Sequence, residues 1–137
     1  MDGNDPFPRH IYKIVTKNEL PAALSADGQT FVGSSLDLQD GFLHLSTAKV
    51  ITEVASRYFQ GQTDCELIEW DTALLDQPPL WTAEAPAKSD DTTSKTPFHL
   101  LSNGCVHVYG TLPMKAVARH VPLPFENGLF VFPDLRD

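Results

Sequence analysis

Short strand-like runs impose the tightest limit on how this chain can fold. The runs IYKIVT, FLHLS, CELIEWD and CVHVYG are rich in β-branched and aromatic residues or alternate between apolar and polar side chains, which is typical of strands. Between the second and third runs, AKVITEVASRYF repeats its apolar residues at helical spacing. This order of elements predicts an α+β fold with a mostly antiparallel or split sheet.

Weaker signals complete the predicted secondary structure. Thr16 and Glu19 have the spacing of a capping box, which predicts a short helix over about 18–26. Residues 31–41 and 77–97 are rich in turn-forming residues and are expected to be loops. The run NGLFVFP near the end of the sequence is a further strand candidate.

The chain is predicted to form one domain. At 137 residues it is long enough to bury a sizeable core, and no internal repeat divides it. Residues 1–10 are rich in Asp, Gly and Pro and are expected to be a disordered lead-in, with the domain spanning 11–137. The polar run SDDTTSKT predicts a mobile loop near 85–97 within that domain.

Charge narrows the range of partners. Ten Lys and Arg against eighteen Asp and Glu give a net charge of −8, which argues against nucleic acid and anionic membranes, since both attract a basic face. The sequence shows no secretory signal, no apolar run of about 20 residues, and fewer cysteines than a secreted scaffold usually carries. We therefore expect a cytoplasmic monomer or homodimer whose partner is a small molecule or nucleotide.

Two histidines in apolar strands are the strongest candidates for chemistry. Alternation places His44 on the same strand face as Ser46, and His107 on the same face as Tyr109. A buried imidazole without a partner costs about 1–3 kcal/mol, so each ring is expected to be hydrogen-bonded or to face a cleft. Either histidine alone is compatible with a structural role. Together they predict a shared polar cleft in which imidazoles transfer protons.

Polar and aromatic residues extend this candidate site. Ser46 and Thr47 open the AKVITEVASRYF helix, where they either cap it or belong to an anion site at its N-terminus. Asp37 either serves a turn or orients a base, and Asp40 is expected to serve a turn. The full predicted substrate-binding set is Tyr12, Ser34, Asp37, Ser46, Thr47, Trp81 and Tyr109. Core packing is an equally good interpretation of Tyr12 and Trp81.

Metal and nucleophile motifs are weak. Cys105 and His107 form a CxH pair, but no second pair follows at zinc spacing, so no metal site is expected. A Cys–His hydrolase would need Cys65 or Cys105 as its nucleophile, and neither has local support in the sequence.

Three segments match a known family pattern. IYKIVT, GSSLDLQDGFLHLST and HVYGTLPMKAV resemble the small-protein family catalogued as domain of unknown function 952, over about residues 11–133. That family is similar in fold to ADP-ribosyltransferases, and IYKIVT and FLHLS look like strands of the NAD-using RNA 2′-phosphotransferases. The resemblance implies two small, roughly perpendicular antiparallel sheets that form a cleft, with helices outside.

Three functional alternatives remain open. The resemblance implies the first, ADP-ribosyl-transfer-like chemistry, in which His44 contacts the ribose or phosphate of NAD or a related nucleotide. The helix N-terminus would hold the pyrophosphate, Tyr12 or Tyr109 would stack on the planar ring, and His107 would act as base. In the second, the two histidines are an acid–base pair that acts on a small metabolite without a cofactor. In the third, the fold binds a nucleotide without turnover, since no glutamate lies in NGLFVFP.

Overall fold

The computed structural model describes residues 7–82, 84 and 96–137. Its helices are α1 (Leu20–Ala23), α2 (Ser35–Asp40) and α3 (Ala48–Tyr58). Its strands are β1 (His10–Thr16), β2 (Thr30–Phe31), β3 (Leu43–Ser46), β4 (Cys65–Asp71), β5 (Leu80–Thr82), β6 (Pro97–Leu100), β7 (Cys105–Val108), β8 (Leu112–Pro113), β9 (Val117–Pro122), β10 (Phe125–Glu126) and β11 (Leu129–Phe130). Short 3-10 turns lie at Thr72–Leu74 and Met114–Ala116.

A seven-stranded sheet organises this mixed α/β fold, in the order β5-β6-β7-β3-β1-β4-β9. Neighbouring strands are antiparallel except β5 and β6, which are parallel. Two ribbons accompany it, β2 with β8 and β10 with β11. The two separate sheets expected from the resemblance are therefore one open sheet, which nearly divides in the middle because β1 and β3 pair at one position only, Tyr12 with Ser46.

Each face of the sheet borders its own hydrophobic core. Leu43, Trp70 and Val108 belong to the core that contains Phe31 of β2. Tyr12, Ile14 and Leu67 belong to the other core, which contains Ile51 and Ala55 of α3. Alternation along β3 and β7 therefore sends their apolar residues into the first core and turns their polar residues toward the α3 face.

The elements with strong periodicity agree with their predictions. The four predicted strands correspond to β1, β3, β4 and β7, and β4 has the predicted bounds. The AKVITEVASRYF helix is α3. The NGLFVFP run contributes β11, which pairs with β10 as a short hairpin.

The predicted helix over 18–26 is much shorter in the structure. The capping-box hydrogen bonds form, since Thr16 N donates to Glu19 Oε1 at 3.0 Å and Glu19 N donates to Thr16 Oγ1 at 3.3 Å. The helix nevertheless ends at Ala23, because Leu24 is already extended and bridges to Phe31 of β2.

Two predicted loops are wrong in part. Residues 31–41 contain α2, and residues 77–97 contain β5 and the first residue of β6. Of the predicted mobile loop, residues 85–95 lie outside the described residues. Residues 1–6 of the predicted lead-in also lie outside them, whereas His10 already belongs to β1. The described end of the lead-in is attached to the sheet, since Arg9 binds both carboxylate oxygens of Asp71, at 2.8 and 2.9 Å.

Candidate functional site

A row of three histidines crosses adjacent strands of the sheet. His44 on β3 is directly opposite His107 on β7, which is opposite His99 on β6. Residues opposite each other in a ladder share a face. The ring centroids are 5.5 Å apart for His44 and His107, and 5.9 Å apart for His99 and His107. The fold therefore brings together the two histidines singled out in the sequence and adds a third beside them.

Asp37 fixes one side of the His44 ring. Its Oδ1 lies 2.7 Å from His44 Nδ1 and accepts the His44 main-chain N–H at 3.0 Å. The buried Lys13 ammonium lies 3.2 Å from Oδ1 and 3.1 Å from Oδ2 of Asp37, and donates to the His44 carbonyl at 2.8 Å. Asp37 itself is 2% exposed. A carboxylate held this firmly fixes the orientation of the imidazole that it contacts.

The local sequence explains how Asp37 reaches this position. Ser34 is the N-cap of α2: its main-chain N–H donates to Asp37 Oδ2 at 2.9 Å, and its Oγ accepts the Asp37 N–H at 3.4 Å. Gly33, just before the cap, has φ +120°, and a Cβ there would lie 2.9 Å from Asp37 Cβ. The GSSLD segment therefore packs Asp37 against the start of β3 at a distance that only glycine allows.

Asp40 and Phe42 complete the surroundings of His44. Asp40 Oδ2 lies 2.9 Å from His44 Nε2, so each ring nitrogen faces a carboxylate, and only the imidazolium donates to both. The Phe42 ring stacks on His107 at 4.1 Å and lies 5.1 Å from the Tyr109 ring. The His44 and Asp40 side chains are 29% and 37% exposed, so the outer edge of the site faces solvent.

Burial and neighbouring charges shift the pKa values of His107, Asp37 and Lys13 away from their ordinary values. Burial, together with the nearby rings of His44 and His99, lowers the pKa of His107 to about 4. Burial opposes ionisation of Asp37, but the hydrogen bond from His44 and the charge of Lys13 outweigh it and hold the pKa of Asp37 well below its usual range. Burial lowers the pKa of Lys13, against the attraction of Asp37. The neutral imidazole of His107 thus lies beside the imidazole of His44, which is held between two carboxylates.

The His107 ring is expected to titrate at about pH 4, as followed by imidazole nitrogen chemical shifts. In His44→Gln its pKa rises toward the ordinary value of 6.5, because one repulsive neighbour is gone while burial remains. The unfolded chain binds more protons between pH 6.5 and about 4, so the contribution of His107 to stability falls as the pH drops through that window. A midpoint near 6.5 in the unmodified protein would contradict this prediction.

Three residues of the predicted binding set are buried and already have structural partners. Tyr12 is fully buried, and its hydroxyl donates to the Arg136 carbonyl at 2.8 Å and accepts the Arg136 N–H at 2.9 Å. Ser46 is buried between β1 and β7. The Thr47 hydroxyl donates to the Gly104 carbonyl at 2.8 Å and does not cap α3. The Tyr12 hydroxyl is therefore already bonded to the Arg136 main chain and is not part of the histidine row.

Trp81 lies on the other face of the sheet from the histidines. It is opposite Phe98 in the β5–β6 pairing, and Phe98 is opposite Val108, which belongs to the first core. The Trp81 ring stacks on Phe7 at 5.0 Å and meets Phe98 edge-on at 5.3 Å. Trp81 therefore does not line the histidine row, because alternation along β5 turns it toward the first core.

The histidine row lies on an open face and not in either of two cavities found among the described residues. One cavity, of about 250 Å³, borders Leu75, Phe98 and Leu112. The other, of about 290 Å³, borders Thr47, Lys49, Gly104 and Asp137. Within residues 7–82, 84 and 96–137, no group of three or more His, Cys, Asp or Glu is arranged to hold a metal ion.

Neither cysteine has the properties of a nucleophile. Both are free thiols. Burial raises the pKa of Cys65 to about 11 and also raises the pKa of Cys105. A thiolate is the reactive form, so neither cysteine supports a Cys–His hydrolase.

Sequence reasoning missed His99 and Lys13. His99 lies outside the strands predicted from the sequence, because its strand is only four residues long and follows a polar run. Lys13 lies within the predicted first strand, but no role is assigned to it from the sequence. A lone lysine within the apolar run IYKIVT was the available signal, since a buried ammonium needs a carboxylate partner.

The fold and site define a mixed α/β protein with a row of three histidines on an open sheet, one of which is held between two carboxylates. The chain belongs to the family described as a protein of unknown function (DUF952), whose model matches residues 14–120. Two solved structures of protein CC0527 from Caulobacter crescentus are similar to it. The crystal structure is 26% identical, covers 89% of this chain and 93% of that one, and has a TM-score of 0.61. The solution NMR structure is 27% identical, with coverages of 89% and 90% and a TM-score of 0.56.

Two further findings are negative. No curated protein matches the chain. In the described part of the chain, no helix has both the length and the apolar character needed to cross a membrane.

Proposed function

We propose that the histidine row is the active site of a cofactor-independent enzyme that performs general acid–base chemistry on a small, uncharged metabolite. A pair of histidines that donates and accepts protons, as proposed for His44 and His107, serves isomerisation, cyclisation or hydrolysis. The observation that carries the proposal is the 2.7 Å contact between His44 Nδ1 and the buried carboxylate of Asp37. The same contact orients a catalytic imidazole in many unrelated enzymes.

The two rings have complementary roles in this proposal. His44 is held between Asp37 and Asp40 and is the proton donor. Its Nε2 donates to the substrate once its contact with Asp40 opens. His107 is neutral at neutral pH and is the proton acceptor. When His44 gives up its proton, the repulsion that lowers the pKa of His107 disappears, so His107 becomes a stronger base during the reaction.

The surroundings favour a small and flat substrate. Phe42 and Tyr109 form an aromatic wall beside His107, and planar molecules bind against such rings. The Asp37 charge is balanced by Lys13 and the Asp40 charge by His44, so the site has no excess charge to attract an ion. An uncharged substrate follows from that balance.

The NAD alternative and the non-catalytic nucleotide-binding alternative stay predictions and have less support. Both ring nitrogens of His44 already contact carboxylates, and the balanced site offers no excess positive charge to attract a pyrophosphate. The Thr47 hydroxyl at the start of α3 is bound to Gly104. An ADP-ribosyltransferase-like fold remains an expectation from the resemblance. A cytoplasmic location belongs to the same proposal and is supported by the two free thiols.

The Kemp elimination of nitrobenzisoxazole tests the proposed chemistry without knowledge of the natural substrate. This planar, uncharged compound needs a base to remove a carbon-bound proton and a donor to stabilise the phenolate that forms. We expect the protein to accelerate the reaction above buffer, and His107→Phe and His44→Gln each to lower the rate about 100-fold. Progress is followed by phenolate absorbance.

His120→Gln is the matched control. His120 lies on β9, at the edge of the sheet away from the histidine row, and contacts Glu66 of β4, so this variant keeps the parental rate. Titration of NAD into the same protein by calorimetry tests the nucleotide alternative. No acceleration by the parent protein, or parental rates in both His44→Gln and His107→Phe, would remove the acid–base proposal.

A further inference from the structure

The sheet carries a second cluster of polar side chains, which we call the central polar cluster: His10, Tyr12, Glu69 and Arg119. Register places Tyr12 opposite Glu69 on β4, and Glu69 opposite Arg119 on β9. Arg119 Nε donates to Glu69 Oε1 at 2.6 Å. Glu69 is 1% exposed and His10 is 8% exposed. Buried ionisable groups cost folding free energy, and such groups are concentrated at sites that bind or react.

Residues 133–137, which we call the strap, lie against the central polar cluster and have no regular secondary structure. Arg136 Nε donates to Glu69 Oε2 at 2.9 Å. The Arg136 main chain makes both hydrogen bonds to the Tyr12 hydroxyl. Arg119 donates to the Asp134 carbonyl at 2.6 Å, and His10 Nδ1 lies 3.0 Å from the main-chain oxygen of Asp137. Every member of the cluster thus has a partner in the strap.

The strap is held by few apolar contacts. Asp134, Arg136 and Asp137 are exposed, and Pro133 and Leu135 are only half-buried. Leu135 packs on the core beneath α3. An irregular segment with so little buried surface opens at a low cost in free energy. The cluster residues lie on β1, β4 and the edge strand β9, and these strands pair with one another without the strap.

A cavity continues the cluster beyond the strap. The cavity of about 290 Å³ begins at Asp137 and extends to Thr47, Lys49 and Gly104 at the start of α3. A ligand in place of the strap would therefore have room beyond the position that Asp137 occupies.

We infer that the central polar cluster is a binding site for an arginine-containing peptide, and that the strap occupies this site as an internal competitor. The groups that the strap offers define the ligand: a guanidinium for Glu69, and the N–H and C=O of the same residue for Tyr12. Arg119 binds the carbonyl oxygen of Asp134, and His10 contacts the main-chain oxygen of Asp137. The site shares no residue with the histidine row and stands apart from the proposed function.

N-acetyl-arginine amide is the probe, titrated by calorimetry into the full-length protein. Leu135→Ala weakens strap docking without changing a residue that binds the probe. Since an internal competitor reduces apparent affinity by the fraction of open molecules, we expect the apparent Kd of Leu135→Ala to be about tenfold lower than that of the parent. The matched control is Leu129→Ala on β11, which is 70% exposed and outside the strap, and keeps the parental Kd.

Tyr12→Phe removes one hydroxyl and is expected to abolish the gain seen in Leu135→Ala. N-acetyl-lysine amide should bind at least tenfold more weakly than the arginine probe, because a compact ammonium lacks the planar guanidinium fork. Equal affinity of parent and Leu135→Ala, no binding to Leu135→Ala at millimolar probe, or equal binding of the two probes would overturn the inference. The Kemp rate is unaffected by Leu135→Ala, so this inference and the proposed function fail separately.

Discussion

Replacement of Asp37 by Asn is expected to lower the free energy of unfolding by about 3–5 kcal/mol, because it leaves the buried Lys13 ammonium without its charged partner. Lys13 is only 7% exposed, and its pKa is already lowered by burial. The amide also loses one of the two acceptor oxygens that now serve Ser34, Lys13 and His44. Urea unfolding followed by circular dichroism measures the loss.

Two variants isolate the cause of this loss. Asp40→Asn removes a carboxylate that is more than a third exposed and should cost less than about 1 kcal/mol. Adding Lys13→Met to Asp37→Asn removes the unpaired charge and should recover part of the stability. Equal losses for Asp37→Asn and Asp40→Asn, or no recovery in the double variant, would show that the buried pair is not the origin.

The pH dependence of stability gives an independent view of Asp37. Its pKa in the folded protein is below the ordinary 3.8, so its contribution to stability is fully present above 3.8 and is lost as the pH falls through the folded value. Asp37→Asn should therefore unfold with a flatter pH dependence on the acid side. The comparison needs only thermal melts of parent and variant across that range.

Gly33→Ala is expected to destabilise the protein by about 2–5 kcal/mol and to displace Asp37 from His44. The backbone at Gly33 has φ +120°, which an L side chain rarely adopts. A Cβ there would meet Asp37 Cβ at 2.9 Å and Leu43 Cδ2 at 3.0 Å, so the α2 cap and the start of β3 must separate. Urea unfolding gives the stability loss, and the imidazole spectrum of His44 reports the displaced contact.

Gly28→Ala is the matched control for this prediction. Gly28 also has a positive φ, +74°, but nothing lies within 4 Å of a Cβ built there. Its cost is the backbone strain alone, about 1–2 kcal/mol, and the His44 spectrum stays unchanged. If the two alanine variants lose the same stability and leave the same spectrum, the close packing of Gly33 on Asp37 has no role.

Some parts of the candidate site were readable from local sequence. Alternation within FLHLS and CVHVYG indicated that His44 and His107 point away from the apolar residues of their strands, and the register shows them opposite each other. Asp37 was read as either a turn residue or the residue that orients a base, and it contacts His44 at 2.7 Å. The strand faces of the two histidines and the proximity of Asp37 to His44 could be anticipated because each depends on neighbours within a few positions of the chain.

Other parts depend on which strands become neighbours. His99 is close to His107 only because β6 pairs with β7, and Trp81 faces the core only because β5 joins β6. Short strands bordered by polar residues have no periodicity that reveals them. Tyr12 was compatible with a ligand or with the core until the strap supplied its hydrogen-bond partner, 124 positions away.

The sequence by itself determined that helices and strands are mixed, and it located four of the seven strands of the main sheet and the long helix, because alternation and helical spacing are local consequences of burying one face. Only the tertiary structure decided that Lys13 lies under Asp37, that three imidazoles form a row, and that the strap binds Glu69. Those contacts join residues far apart in the chain, and their geometry is set by strand order and register, which local patterns do not encode.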